Sequence, residues 1–110
     1  MATPELLRAW KRTEAYLLDA RAHLSQIAEA EYSDDILQFQ EYIDHNELGL
    51  AFEALDVIAE ESQWESQRVL ELLALAAASM GLQEAQQRLD STISRLRGGP
   101  YQTVLPPSGP

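Results

Sequence analysis

The chain contains no cysteine, which excludes disulfides, thiolate metal sites and cysteine nucleophiles. It also has no Lys or Arg between Arg21 and Arg68, although that window holds twelve carboxylates: Glu29, Glu31, Asp34, Asp35, Glu41, Asp44, Glu47, Glu53, Asp56, Glu60, Glu61 and Glu65. No run approaches the roughly 18 consecutive apolar residues of a membrane span. The first residues, with Glu5 among them, lack the charged-then-apolar layout of a signal peptide. These absences lead us to expect a soluble, cytoplasmic protein with no membrane partner. A net charge of −10 repels the phosphates of nucleic acid, so no nucleic-acid partner is expected either. At 110 residues the chain has room for one modest core. We expect a single helical domain over residues 1–97 and an extended tail over 98–110.

Proline is almost absent from the body of the chain, and what is present there has helical rhythm. Thr3, Pro4 and Glu5 form a helix start: a hydroxyl cap, a proline where its missing N–H is harmless, and a carboxylate at the positive end of the dipole. Leu6, Trp10, Leu17, Ala20, Leu24, Ile27 and Ala28 then recur at steps of three, four or seven, which predicts one long helix, or two with a kink, with Trp10 in the core. Ser33 before Asp34 and Asp35 signals a second start, with Ile36, Phe39 and Ile43 inward and an end near His45 and Asn46. A third helix is predicted over 47–61, burying Leu48, Ala51, Phe52, Leu55, Ile58 and Ala59 and presenting Gly49, Glu53, Asp56 and Glu60 on the opposite side. The segment "QRVLELLALAAASMG" is apolar nearly all round, as a central bundle helix is, and Gly81 can end it in the left-handed conformation. A last helix over 82–96 shows Leu82, Ala85, Leu89, Ile93 and Leu96, and "RGGP" stops it. The expected fold is all-α, a compact antiparallel bundle of about five helices. In the proline-rich tail, Tyr101, Val104 and Leu105 are the side chains able to dock it in a groove. No second copy of any segment supports a repeat array.

Chemistry finds little to work with. Asp19 with His23, and Glu41 with His45, are spaced i, i+4, so each pair could reach a metal from one helix face, but one histidine and one carboxylate are half a site. No G-x-S-x-G turn surrounds a serine, and the adjacent Gly98 and Gly99 precede Pro100 rather than opening a helix as a phosphate-binding loop does. We expect no catalytic activity, no metal and no cofactor. Trp64, between two helices and beside Glu65, is either a cap on the core or an exposed aromatic of the kind that anchors interfaces.

The stretch "EYIDHNELGLAFEALDVIAEES", followed by a connection and a helix ending "SMGL", resembles the MafI-type immunity proteins of bacterial polymorphic toxin systems. The matching positions are Tyr42, Ile43, Asp44, His45, Asn46, Glu47, Gly49, Leu50 and Ala51, then Met80, Gly81 and Leu82, and the likeness covers about residues 33 to 96. The resemblance implies a small helical protein that binds and neutralises one cognate toxin, often a nuclease, and carries no catalytic activity. The acidic window fits that implication, because a nuclease cleft that binds phosphate is basic and a carboxylate surface can occupy it. The expected partner-binding residues are Asp34, Asp35, Glu41, Asp44, Glu47, Glu53, Asp56 and Glu60, with Trp64 as an aromatic anchor. The alternative is a helical adaptor or self-associating scaffold, a homodimer formed through the first helix or the tail.

Overall fold

The computed structural model describes residues 3–62 and 66–106. Among them are six helices and no strand: α1 (Pro4–Ala22), α2 (Gln26–Glu31), α3 (Ser33–Asp44), α4 (Leu48–Glu61), α5 (Gln67–Ser79) and α6 (Gln83–Arg97). The all-α expectation holds, with one helix more than the five expected. The additional helix arises where α1 ends at His23 and Ser25 restarts the chain, its hydroxyl accepting the Ala28 N–H at 3.0 Å. A serine that caps forward competes with continuing the preceding helix. The restart also shifts the phase of the apolar stripe, so that Ala28 is buried while Ile27, expected inside, is exposed. Ser33 is likewise the first residue of α3 rather than its cap; Tyr32 occupies the cap position, with no side-chain bond.

One cluster of buried side chains draws on all six helices. Its central member is α5, packed against α1, α6 and α4, which explains why that segment is apolar on nearly every side. All six residues expected to face inward from α4 are buried, as are Ile36, Phe39 and Ile43 of α3. The latter helix packs mainly on α4.

Trp10 is a correction. It is 36% exposed, and every residue from 3 to 11 is exposed. The cause lies in α5, whose last residue, Ser79, meets Thr13 of α1 with their hydroxyl oxygens 2.6 Å apart. The part of α1 that precedes Thr13 therefore overhangs the end of its main partner, and Leu6 and Trp10 continue the core stripe without the burial that Leu17 and Ala20 reach. In the buried Thr13–Ser79 pair, Thr13 Oγ1 also lies 3.0 Å from the Ala9 carbonyl and Ser79 Oγ 2.8 Å from that of Ala76. Two hydroxyls carry two protons, so one donates to the other, which in turn donates to its own helix backbone.

Three helices end through a residue with positive φ: Asn46 at 54° after α3, Gly81 at 73° after α5 and Gly98 at 72° after α6. In each case the next N–H reaches five residues back: Glu47 to the Tyr42 carbonyl at 2.8 Å, Leu82 to Ala77 at 2.9 Å and Gly99 to Ser94 at 3.2 Å. This is the Schellman closure, which satisfies carbonyls that the helix end leaves free. Asn46 is tolerated there because asparagine visits the left-handed region most readily after glycine. Asn46→Gly is expected to leave stability within about 0.5 kcal/mol, whereas Asn46→Val costs about 1–2 kcal/mol, read from urea unfolding midpoints.

Beyond α6 the chain turns back along that helix. The Tyr101 N–H donates to Ser94 Oγ at 2.9 Å, the Thr103 N–H donates to Asp90 Oδ2 at 3.0 Å, and the Thr103 hydroxyl donates to Asp90 Oδ1. Burial alternates as in an extended strand: Tyr101, Thr103 and Leu105 turn inward, Gln102, Val104 and Pro106 outward. Val104, expected to dock, is therefore 77% exposed, and Thr103 takes the inward place.

Candidate functional site

Six carboxylates of the base-free window divide between two seams. The first is the groove between α3 and α4, where Asp35, Gln38 and Tyr42 face Leu50, Glu53, Ala54 and Val57 around a recess of 230 Å³. Residues at i, i+3 and i+7 on α3, and at i, i+3, i+4 and i+7 on α4, share one flank of their helices, which is why these seven meet. A second recess of 270 Å³ adjoins it through the shared Gln38 and Tyr42 and adds Glu41, His45 and Glu47. Leu50 and Val57 are 44% and 46% exposed and Tyr42 is half-buried, so the floor is apolar and the rim anionic. Asp35, Glu41, Glu47 and Glu53 are all exposed, and no Lys or Arg lines either recess. Both volumes fall below the roughly 300–1,000 Å³ of small-molecule sites, and a shallow apolar strip rimmed by charge suits a protein surface better.

The negative field extends to the foot of the hairpin. The Tyr32 hydroxyl is held above its ordinary pKa, first by desolvation and then by the carboxylates of Glu61, Glu31 and Asp35. Three carboxylates from α2, α3 and α4 thus converge on one phenol.

On the other flank of α4 the electrostatics reverse. Arg88 of α6 spans two of the expected contact residues, donating from Nη2 to Asp56 and from Nη1 to Glu60 Oε1 at 2.7 Å. Both carboxylates line a recess of 470 Å³ between α4, α5 and α6, together with Leu70, Arg88, Leu89, Thr92, Arg95 and Leu96. Asp56 and Glu60 are therefore paired with a base inside the fold, Asp56 largely covered and Glu60 still exposed. Asp34 stands exposed in the first turn of α3, where the helix dipole favours it. Asp44, also exposed, accepts Gln40 Nε2 at 3.0 Å and lines neither recess of the groove. Trp64 lies outside the described residues. Of the eight carboxylates named from sequence, the α3–α4 face brings together Asp35, Glu41, Glu47 and Glu53. The residues sequence reasoning missed are Tyr42, Leu50 and Val57, whose signal was an apolar side chain on the outer flank of each amphipathic helix.

Asp56 gives a pH prediction. Its pKa is raised above 3.8, chiefly because burial penalises the charged form; the Arg88 hydrogen bond and charge act the other way, while Glu60 and Glu53 add to the rise. Its Oδ1 is buried without a hydrogen-bond partner. A carboxyl whose folded pKa exceeds its unfolded one contributes stability that is complete below the unfolded value and is lost as pH climbs through the folded value. Asp56→Asn is expected to remove that loss, so its urea midpoint declines less than that of the parent as pH rises from 3.8 towards neutrality.

The two histidines act as helix terminators. Nδ1 of His23 lies 2.8 Å from the Asp19 carbonyl oxygen, and Nδ1 of His45 lies 2.8 Å from that of Glu41. A carbonyl only accepts, so Nδ1 carries the proton in each ring. The i, i+4 spacing thus serves the backbone at the ends of α1 and α3. Among the described residues no three or more His, Asp or Glu side chains are grouped so as to hold a metal, and no helix is long and apolar enough to cross a membrane. Gly49, expected on the outer side of its helix, is exposed, and a Cβ there would meet nothing within 4 Å. No protein-family model, curated protein or solved structure matches the chain.

Proposed function

We propose that the chain is a non-catalytic binding protein of the immunity type, which uses the α3–α4 hairpin, read as an antiparallel pair within the bundle, to cover a basic surface of a cognate toxin in the cytoplasm of the producing cell. The observation that carries this reading is the groove in which exposed Leu50 and Val57 and half-buried Tyr42 lie between Asp35, Glu41, Glu47 and Glu53, with no Lys or Arg among the lining residues. An apolar floor supplies affinity and a single-sign rim supplies steering and discrimination, the division of labour typical of fast, specific inhibitors. A nuclease cleft fits because it must be cationic to hold phosphate. Asp56 and Glu60 are assigned a supporting part, since Arg88 already engages both and offsets one of their two charges.

The test is capture of the toxin encoded beside this chain, repeated at rising salt. Asp35→Lys with Glu53→Lys is expected to weaken capture at least about ten-fold, and raising salt past about 0.5 M to weaken it further. Capture indifferent to both rejects the electrostatic mechanism. Gly49→Ala separates fold from face: with open space around the added methyl it is expected to raise stability by about 0.5–1 kcal/mol in urea unfolding, through helix propensity alone. A self-associating adaptor is favoured by one observation, the uncovered start of α1.

A further inference from the structure

The overhanging start of α1 has the chemistry that the α3–α4 groove lacks. Arg8, Lys11 and Arg12 are three of the eight bases in the chain, and Glu5 is the single acid among residues 4–12. Arg8 makes one exposed contact with Glu5 at 3.8 Å; among the described residues no ion pair involves Lys11 or Arg12. Beside these bases Leu6, Leu7 and Trp10 are exposed, at 42%, 46% and 36%. The segment is therefore a cationic helix with an uncovered apolar side, and the groove is an anionic trough with an uncovered apolar floor. Their lengths match: seven helical steps separate Pro4 from Lys11 and Leu50 from Val57, about 10 Å in each case.

We infer that a second copy of this chain seats the first turns of its α1 in the α3–α4 groove, and receives the first copy's α1 in return. Reciprocal exchange about a two-fold axis satisfies both uncovered surfaces of both copies and leaves no open end to propagate. Leu6, Leu7 and Trp10 cover Tyr42, Leu50 and Val57, while Arg8, Lys11 and Arg12 meet Asp35, Glu41, Glu47 and Glu53, as an amphipathic helix does in a groove of opposite charge. A lipid surface is the poorer occupant for this arm, because an anionic bilayer repels a molecule of net charge −10. The inference rests on the groove being a binding face for basic partners. It adds that self-docking and toxin compete for that face, so the free protein is held with its groove covered.

Sedimentation of the full chain tests this. Two short helical contacts make a small interface, so dimerisation is expected with a dissociation constant on the order of 10 µM at about 50 mM salt, weakening at least ten-fold at about 500 mM. An arm-reversed variant (Arg8→Glu, Lys11→Glu, Arg12→Glu) and a groove-reversed variant (Asp35→Lys, Glu41→Lys, Glu53→Lys) should each be monomeric when alone. Mixed, they should form a one-to-one heterodimer, because the anionic arm then meets a cationic groove and the cationic arm an anionic one. Leu6→Ala with Trp10→Ala should weaken the parent dimer about ten-fold. These side chains are exposed except Arg12, which is half-buried, and circular dichroism verifies that each variant keeps its helices. A parent that stays monomeric to about 300 µM at low salt, a dimer that survives either reversal, or a mixture that fails to associate overturns the inference. Salt-sensitive toxin capture by a strictly monomeric chain overturns self-docking and leaves the proposed function standing, whereas a dimer that captures no toxin does the reverse.

Discussion

Phe39→Ala is expected to lower the free energy of unfolding by about 3–5 kcal/mol, the largest effect of any single exchange in α3. Among the described residues Phe39 is the largest fully buried side chain, and it sits between Ile36 and Ile43 on the one buried stripe of that helix. The stripe packs on α4, with α2 as a minor neighbour, so the surroundings can collapse into the vacated space only by moving α3 itself. A helix of twelve residues with no side-chain cap at its start has little stability of its own. The loss is therefore predicted to concentrate there. Amide exchange in α3 should rise well above that in α1 and α5, while the urea midpoint falls by about 2–4 M for a slope near 1.3 kcal/mol per molar. Ile43→Val, which removes a single methyl group from the same stripe, should cost about 1 kcal/mol and leave α3 protected. Equal loss of protection across all helices would mean that α3 is not held chiefly by its own stripe. Asp35, Glu41 and Tyr42 reach the candidate groove only if α3 is seated, so under the proposed function toxin capture should fall with α3 protection rather than with global stability.

What the sequence made legible was whatever depended on neighbours along one helix. The buried residues of α3 and α4 were readable because a three- or four-residue period fixes a face, and the ends at Asn46, Gly81 and Gly98 because a left-handed residue has a compositional signature. Trp10 was misplaced for a reason that no period contains: a stripe shows which way a side chain points, and burial requires another helix to be there. Here α5 stops at Ser79, opposite Thr13, and the residues of α1 up to Lys11 are exposed. Ile27 was misplaced because Ser25 caps a new helix and resets the phase.

The acidic window was legible as composition, and its division into two surfaces was not. Glu53 and Asp56 are three residues apart, yet Glu53 faces solvent beside Leu50 and Val57 while Asp56 turns to Arg88, thirty-two residues further along. A count of charges over residues 21–68 omits that arginine altogether. Beside the apolar floor of the α3–α4 groove only Asp35, Glu41, Glu47 and Glu53 gather, a narrower set than the sequence suggested. Pairing within the fold engages Asp56 and Glu60, the first largely covered and the second still exposed, much as Arg21 engages Glu29 of α2.

Asp90→Ala is expected to cost about 2–3 kcal/mol, a large figure for a residue at the end of the molecule. Asp90 is 8% exposed on α6 and binds the tail through both carboxylate oxygens: Oδ2 accepts the Thr103 N–H and Oδ1 the Thr103 hydroxyl. Gln86 adds a bridge, with its Nε2 3.5 Å from Asp90 Oδ2 and 3.3 Å from the Thr103 carbonyl. Hydrogen bonds to a charged acceptor contribute about 1.5–3 kcal/mol each, but their loss is only partly felt, because an undocked tail hands its N–H and hydroxyl back to water. The urea midpoint should fall by about 1.5–2 M, and exchange at Tyr101, Gln102 and Thr103 should rise by far more than exchange in α5. Thr103→Val keeps the shape and the main-chain bond, so it should cost about 1 kcal/mol and leave the tail docked. If Asp90→Ala frees the tail without moving the midpoint, the clamp holds the tail to the body and contributes nothing to the body itself. If the midpoint falls as expected, the tail is a structural element of α6, and through α6 it also steadies Arg88, two residues before Asp90, and the ion pairs that Arg88 makes with Asp56 and Glu60.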